Sequence, residues 1–154
     1  MSDDEIKEKW RANWLPSPHF YNLNQAVALI NKAFGGHGCY LVGSSRERRD
    51  YRDVDVRLIL SDEEYDHLFR GPDGGGWLNP LWSLMCTSIS LWLKQQTDLP
   101  IDFQIQRQTQ ANADHPGAGR RAALGIFLDY PGERPSDIAV PPTTDGKGEI
   151  RKEK

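Results

Sequence analysis

The sequence predicts an α/β or α+β domain with a small β-sheet flanked by helices. Residues 101–106 alternate strictly between apolar and polar side chains, which is the period of a half-buried strand. Residues 53–60 carry a second strand pattern, and the short apolar run at 39–42 carries a third. Helical patterns lie between these strands, and interleaved strands and helices build such a layered domain. At 154 residues the chain is long enough to bury a core.

The segments between the predicted strands carry helix signals. Apolar residues recur at helical spacing over residues 22–34, with Asn22 as the expected N-cap and two glycines as the stop. Ser61, followed three residues later by Glu64, is a capping-box signature for a second helix. Pro80 begins a longer helix that runs to residue 96. The face of this helix expected to pack on the core contains Leu81, Leu84, Met85, Ile89, Trp92 and Leu93.

The rest of the chain is predicted to be less regular. Residues 1–20 are expected to form a short helix and then an irregular, proline-bounded stretch. The glycine-rich segment 71–77 is not followed by the Gly-Lys-Ser/Thr of a Walker motif, so we expect a connection or a lid. Residues 110–121 are typical of a loop, and 123–128 of a brief apolar segment. We expect one domain over residues 1–130 and a disordered or loosely draped polar tail over 131–154.

Composition excludes several classes of protein. The chain is 38% hydrophobic and 27% charged, and its formal net charge of −3 argues against a general nucleic-acid coat protein. The acidic first residues lack the apolar core of a signal peptide, and no apolar stretch approaches the roughly 18 residues that cross a membrane. Cys39 and Cys86 stand alone in apolar surroundings. We therefore expect buried free thiols, a cytoplasmic location and no membrane partner.

Three aspartates carry the strongest chemical signal. Asp53 and Asp55 lie on alternate residues of one predicted strand, so their side chains point to the same side. Asp102 lies on the polar face of another strand, and the three carboxylates converge if the two strands are neighbours. Such a cluster needs a positive group, and Mg²⁺ prefers carboxylate oxygens, water and substrate phosphates. The alternative is an edge strand whose polar face is solvated.

A Gly-Ser step precedes the aspartate strand. Gly43 has no Cβ, so a phosphate can approach the backbone closely, and Ser44 adds a hydroxyl donor. The amides of the turn that follows can form an anion-binding nest. Ser44 could instead serve only to cap the turn. The arrangement of Gly-Ser, Asp-x-Asp and a later Asp is therefore consistent with a nucleotide site.

This order of motifs resembles the nucleotidyltransferase superfamily that includes DNA polymerase β. The matching segments are Val-Gly-Ser at 42–44, Asp-Val-Asp-Val at 53–56 and Ile-Asp-Phe at 101–103. The resemblance covers residues 39–106 and is closest to the minimal, single-domain members, several of them from phages and bacteria. It implies a mixed sheet with flanking helices and the transfer of a nucleoside monophosphate from a triphosphate, ATP among them, to a hydroxyl.

The resemblance also implies roles for particular residues. Asp53, Asp55 and Asp102 would be the catalytic and metal-binding residues, holding two Mg²⁺ ions, or Mn²⁺ in their place, for in-line displacement. Asp102 would also help to activate the acceptor hydroxyl, on an RNA end, a protein side chain or a small molecule. Because the chain has no room for a second large domain, a second subunit or a protein partner is expected to complete the acceptor site. The expected phosphate-binding residues are Gly43, Ser44, Ser45, Arg46 and Arg49.

The charged spacer at 45–52 departs from the family pattern. It is short and lacks the glycine that many minimal members carry after the serine, so a different turn can follow Gly43. Arg46, Arg48 and Arg49 can compensate, because guanidinium groups match phosphate geometry, or they can form a solvated loop. The departure motivates a second hypothesis, a catalytically inactive nucleotide-binding or partner-binding module. A nuclease is a weaker third hypothesis because it leaves the Gly-Ser turn without a purpose.

Overall fold

The computed structural model describes residues 13–35, 37–69, 76–116 and 119–126. Five helices and four strands lie along this part of the chain. The helices are α1 (Ser17–Phe34), α2 (Ser44–Glu47), α3 (Asp62–Leu68), α4 (Pro80–Thr97) and α5 (Gln108–Asp114). The strands are β1 (Cys39–Val42), β2 (Val54–Leu60), β3 (Ile101–Arg107) and β4 (Ala122–Ala123).

The four strands form one mixed sheet in the order β3-β2-β1-β4. β1 runs antiparallel to both β2 and β4, whereas β2 and β3 are parallel. The predicted α+β class with a small sheet flanked by helices is therefore confirmed. The parallel pairing brings the beginnings of β2 and β3 to the same end of the sheet.

One face of the sheet forms the core with α1 and α4. The alternating residues of β2 and β3 that face it are buried, as the sequence pattern predicts. From β2 and β3 these are Val54, Val56, Leu58, Leu60, Ile101, Phe103 and Ile105. The opposite face carries the polar residues of both strands, so the core fixes which face presents the chemistry.

Local signals account for where the helices begin. Ser61 accepts a hydrogen bond from the backbone N–H of Glu64, as the capping box predicts. Asn79 caps α4 in the same way through the N–H groups of Leu81 and Trp82. The predicted start of α1 at Asn22 is wrong, since the helix begins five residues earlier at Ser17. The prolines around that residue suit a first helical turn, where no partner is needed for the missing N–H.

Two further expectations are corrected by the structure. The sequence predicts a loop over residues 110–121, but 108–114 form α5, whose one buried residue is Ala111, so the helix shows no apolar period. Leu81 and Leu84 were assigned to the core face of α4, yet both are exposed. In the spacer, α2 forms a short turn of helix directly after Gly43. Residues 71–75 of the glycine-rich connection predicted at 71–77, residues 1–12 of the segment predicted to begin with a short helix, and the tail at 131–154 lie outside the described residues.

Side chains of α4 cover the outer edge of β3. The Ser90 hydroxyl accepts a hydrogen bond from the N–H of Phe103 at 2.9 Å and lies 3.4 Å from its carbonyl oxygen. The Trp82 indole N–H donates to the carbonyl of Ile105 at 2.9 Å. These bonds satisfy backbone groups that an edge strand would otherwise leave open to another chain.

None of the helices in the described segments is both long enough and apolar enough to span a membrane.

Candidate active site

The site lies where β1 ends and β2 and β3 begin. Asp55 is the second residue of β2 and Asp102 the second residue of β3, and the two are paired in the parallel register. On its other side Asp55 pairs with Val42, the last residue of β1, so Gly43 follows directly beside it. The structure therefore brings together the Gly-Ser step and two of the three predicted aspartates.

Gly43 is required here for two physical reasons. Its φ of 77° lies in the region that residues with a side chain rarely adopt. A Cβ at this position would also collide with the Asp55 Oδ2 atom. The carboxylate of Asp55 thus rests against bare backbone, and the turn and the aspartate form one unit.

Arg57 joins the two paired aspartates. Its side chain is buried and lies on the same face of β2 as Asp55, two residues along the strand. Nη2 lies 3.2 Å from Oδ2 of Asp102 and 3.5 Å from Oδ1 of Asp55. Nη1 donates to the carbonyl oxygens of Asp102 at 2.7 Å and of Val56 at 3.1 Å. The guanidinium of Arg57 therefore balances part of the negative charge of Asp55 and Asp102.

The charge balance at Asp55 remains unfavourable to its ionised form. Burial raises the pKa of the Asp55 carboxyl, and the neighbouring carboxylates of Asp102 and Asp53 raise it further. The Arg57 guanidinium lowers the pKa but does not cancel the other effects. An added cation beside the Asp55 carboxyl would therefore favour its ionised form.

Asp53 lies just before β2 and is exposed. It lines, with Asp102 and Gln104, an open cleft of about 390 Å³ between β3 and α4. The α4 side of this cleft includes Thr87, Leu91 and Lys94 among other residues. Asp102 therefore belongs to the carboxylate pair with Asp55 and also lines a cleft that is large enough for a substrate group.

The predicted phosphate-binding residues lie in different environments. Ser44 is the half-buried first residue of α2, whereas Ser45 is fully buried and its Oγ has no hydrogen-bond partner among the described residues. Arg46 Nη1 donates to the carbonyl of Gly119 at 2.9 Å. The Arg49 guanidinium lies over the Trp14 ring, 5.2 Å from its centroid. Of the five candidates, Gly43 alone is seen in direct contact with an aspartate of the site.

Two residues near the aspartates had no role in the sequence interpretation. The strand alternation places Arg57 on the aspartate face, but its pairing with Asp102 depends on the parallel register of β2 and β3, which the alternation does not show. His115 follows α5, and burial lowers the pKa of its imidazole, while the charges of Arg57 and Arg121 lower it further and Asp114 and Asp55 raise it. Because residues 110–121 were read as a loop, no sequence signal placed His115 within electrostatic range of Asp55.

The donor set is suited to a hard divalent cation. Asp55 and Asp102 offer adjacent carboxylates, and Arg57 approaches one oxygen of each, Oδ1 and Oδ2 respectively. Within the described residues no group of three or more His, Cys, Asp or Glu side chains is arranged to hold a metal ion. Mg²⁺ bound here would therefore complete its coordination with phosphate oxygens and water, which are its common ligands in proteins.

No protein-family model, no curated protein and no solved structure matches this chain.

Proposed function

We propose that this protein is a Mg²⁺-dependent nucleotidyltransferase. One observation supports it above the others: Asp55 and Asp102 lie side by side in register, with the bare backbone of Gly43 against Asp55. Paired carboxylates beside an open cleft are the parts that metal-assisted phosphoryl transfer needs. The proposed location is the cytoplasm.

In this reaction the acceptor oxygen bonds to the α-phosphorus as the bond to the β-phosphate oxygen breaks, and pyrophosphate leaves. Divalent cations would supply charge stabilisation for the attacking and leaving oxygens. Asp55 and Asp102 would hold them, with Asp53 contributing from the cleft side. Asp102 is partly exposed to the cleft and would also take up the acceptor proton. Gly43 leaves room for the Asp55 carboxylate beside the turn.

A second function is favoured by Arg57. Its guanidinium lies where a cation between the two aspartates is expected, at 3.2 and 3.5 Å from their oxygens. If it stays there when a triphosphate binds, the protein is a nucleotide-binding module without turnover. The two functions differ in whether a phosphorus–oxygen bond is broken, so they can be separated experimentally.

The test is incubation with each of the four α-labelled nucleoside triphosphates, with Mg²⁺ or Mn²⁺, and with RNA, protein and small-molecule acceptors. We expect labelled product from the wild type and a loss of more than about 100-fold in Asp55→Asn and Asp102→Asn, because even the outer partners of metal ligands cost 10–100-fold. Asp98→Asn is the matched control. Asp98 is exposed at the end of α4 with φ of 58°, a conformation that asparagine accepts.

Thermal unfolding with and without triphosphate and Mg²⁺ decides between the outcomes. Stabilisation by triphosphate with no transfer of label would reject the enzyme and support the binding module. Neither stabilisation nor transfer would reject both functions. Equal activity in the Asp55, Asp102 and Asp98 variants would show that the transfer occurs elsewhere.

A further inference from the structure

The solvent-facing side of α4 carries an unusual row of apolar residues. Leu81, Leu84, Ser88 and Leu91 recur at alternating intervals of three and four residues, and we call this row the α4 seam. The exposed fractions of the three leucines are 43%, 65% and 55%. A largely apolar row whose successive spacings alternate between three and four residues is the pattern by which one helix packs along another.

The seam is separate from the side of α4 that builds the core. Cys86 and Leu93 are buried, while Met85, Ile89 and Trp92 pack partly against the core cluster. The exposed apolar surface extends beyond the seam, through Trp77 and Leu78 in the turn that precedes the helix. A helix that is apolar on two sides needs a second partner on the outer side.

The charges of α4 favour another copy of the same helix as that partner. Lys94 is the only charged side chain in the 18 residues of α4, so two seams can meet without an unpaired charge between them. Antiparallel pairing would keep the two Lys94 groups at opposite ends and oppose the two helix dipoles. Parallel pairing would bring those lysines together.

The available area is sufficient for such a pair. With about 200 Å² for an exposed leucine and about 250 Å² for tryptophan, the five exposed apolar side chains offer roughly 600 Å² per copy, or about 1,200 Å² in total. This is the lower limit for specific, stable interfaces. We propose that this chain forms a two-fold dimer through antiparallel pairing of the α4 seam, centred on Leu84.

The dimer would complete the candidate active site. Leu91 belongs to the seam and also lines the cleft that contains Asp53 and Asp102. A pairing centred on Leu84 places Trp77 of the second copy opposite Leu91 of the first. The second copy therefore forms a wall of the cleft on its α4 side and supplies an aromatic surface there. The role of this wall in binding an acceptor rests on the proposed function. The dimer itself does not depend on that function.

Sedimentation equilibrium of the full chain, without nucleotide, tests the dimer. We expect the wild type to have twice the chain mass of 17.5 kDa, and Leu84→Glu to dissociate at least about 100-fold more readily, as the loss of a central apolar contact does at interfaces. Leu29→Glu is the matched control, because Leu29 is equally exposed but lies on α1. A monomeric wild type, a dimeric Leu84→Glu variant or a monomeric Leu29→Glu variant would overturn the proposal.

Disulfide trapping tests the antiparallel direction. Leu84→Cys should cross-link two copies under mild oxidation, because Leu84 faces its own counterpart at the two-fold axis. Ser88→Cys should not, since antiparallel pairing places Ser88 opposite Leu81. The native thiols are buried and do not interfere. Efficient cross-linking through Ser88→Cys would overturn the antiparallel arrangement.

The cleft wall is tested separately, in the labelled-triphosphate assay. If transfer is found, Trp77→Ala should raise KM for the acceptor and leave triphosphate stabilisation unchanged, with Leu29→Ala as the control. An unchanged acceptor KM would overturn the wall but not the dimer. Absence of any transfer would reject the proposed function, while sedimentation would still decide the dimer.

Discussion

Asp55 illustrates at the residue scale how a partly buried carboxyl can oppose folding. Burial raises the pKa of its carboxyl, the Arg57 charge lowers it, and Asp102 and Asp53 raise it, leaving it above the ordinary value of 3.8. A raised folded-state pKa favours folding below the unfolded pKa, and this contribution is lost as the pH rises through the folded value. At neutral pH, therefore, the ionised Asp55 costs stability unless a cation is bound.

Asp55→Asn is expected to stabilise the metal-free protein at neutral pH by up to about 1 kcal/mol, a small value because the site is partly exposed and screened. The gain should shrink as the pH falls below the unfolded pKa, since the wild-type carboxyl is then neutral as well. Urea unfolding at neutral pH and at a pH below the unfolded pKa, both in the presence of EDTA, measures the change in the free energy of unfolding. Asp98→Asn, at an exposed position outside the site, is the matched control and should change stability little. A less stable Asp55→Asn protein at neutral pH would show that Arg57 outweighs the repulsion.

The candidate site was predictable from individual residues only in part. The alternation of β2 and β3 placed Asp55, Arg57 and Asp102 on polar faces, because side-chain direction in a strand is a local property. That β2 and β3 are neighbours in parallel register is a long-range property, which the sequence pattern does not encode. The ion pairs of Arg57 depend on that register, so its role became visible only in the folded chain.

At the scale of elements, α4 both covers an edge strand and presents an apolar seam. Its periodicity predicted a helix with a broad apolar face, and both are present. The pattern could not distinguish residues that face the core from those that face outward, so Leu81 and Leu84 were misplaced. α5 was missed for the opposite reason, since a polar helix with one buried alanine has no apolar period to detect.

The coverage of β3 by α4 is testable through Ser90. Ser90→Ala removes the partner of the Phe103 N–H, and leaving a partly buried amide unsatisfied costs about 1–2 kcal/mol. We expect lower stability in urea unfolding and faster hydrogen exchange at the Phe103 amide. Ser17→Ala is the matched control, because it makes the same change at an exposed helical position outside the α4 seam. Equal stability and equal exchange in the two variants would show that the bond to Ser90 does not protect the edge.

At the scale of the whole molecule, two buried thiols make the stability of the fold depend on pH. Cys39 lies in β1 and Cys86 in α4, and both are free and buried. Burial raises the pKa of the Cys39 thiol to about 12 and that of Cys86 to about 11, against an ordinary value of 9.0. The unfolded chain therefore ionises first, and the stability that the neutral thiols contribute is complete below pH 9.0 and is lost as the pH rises towards 11 and 12.

We expect the free energy of unfolding to fall between about pH 9 and pH 10 by about 1 kcal/mol for each thiol. Urea unfolding at both pH values should show this loss in the wild type, half of it in Cys39→Ala or Cys86→Ala, and none of it in the double variant. Each alanine also leaves a small cavity, which lowers stability equally at both pH values, so the difference between the two pH values is the quantity to compare. Because one thiol is in the sheet and the other in the packed helix, equal contributions would show that the sheet and α4 unfold together. A loss that persists undiminished in the double variant would assign the alkaline sensitivity to other groups.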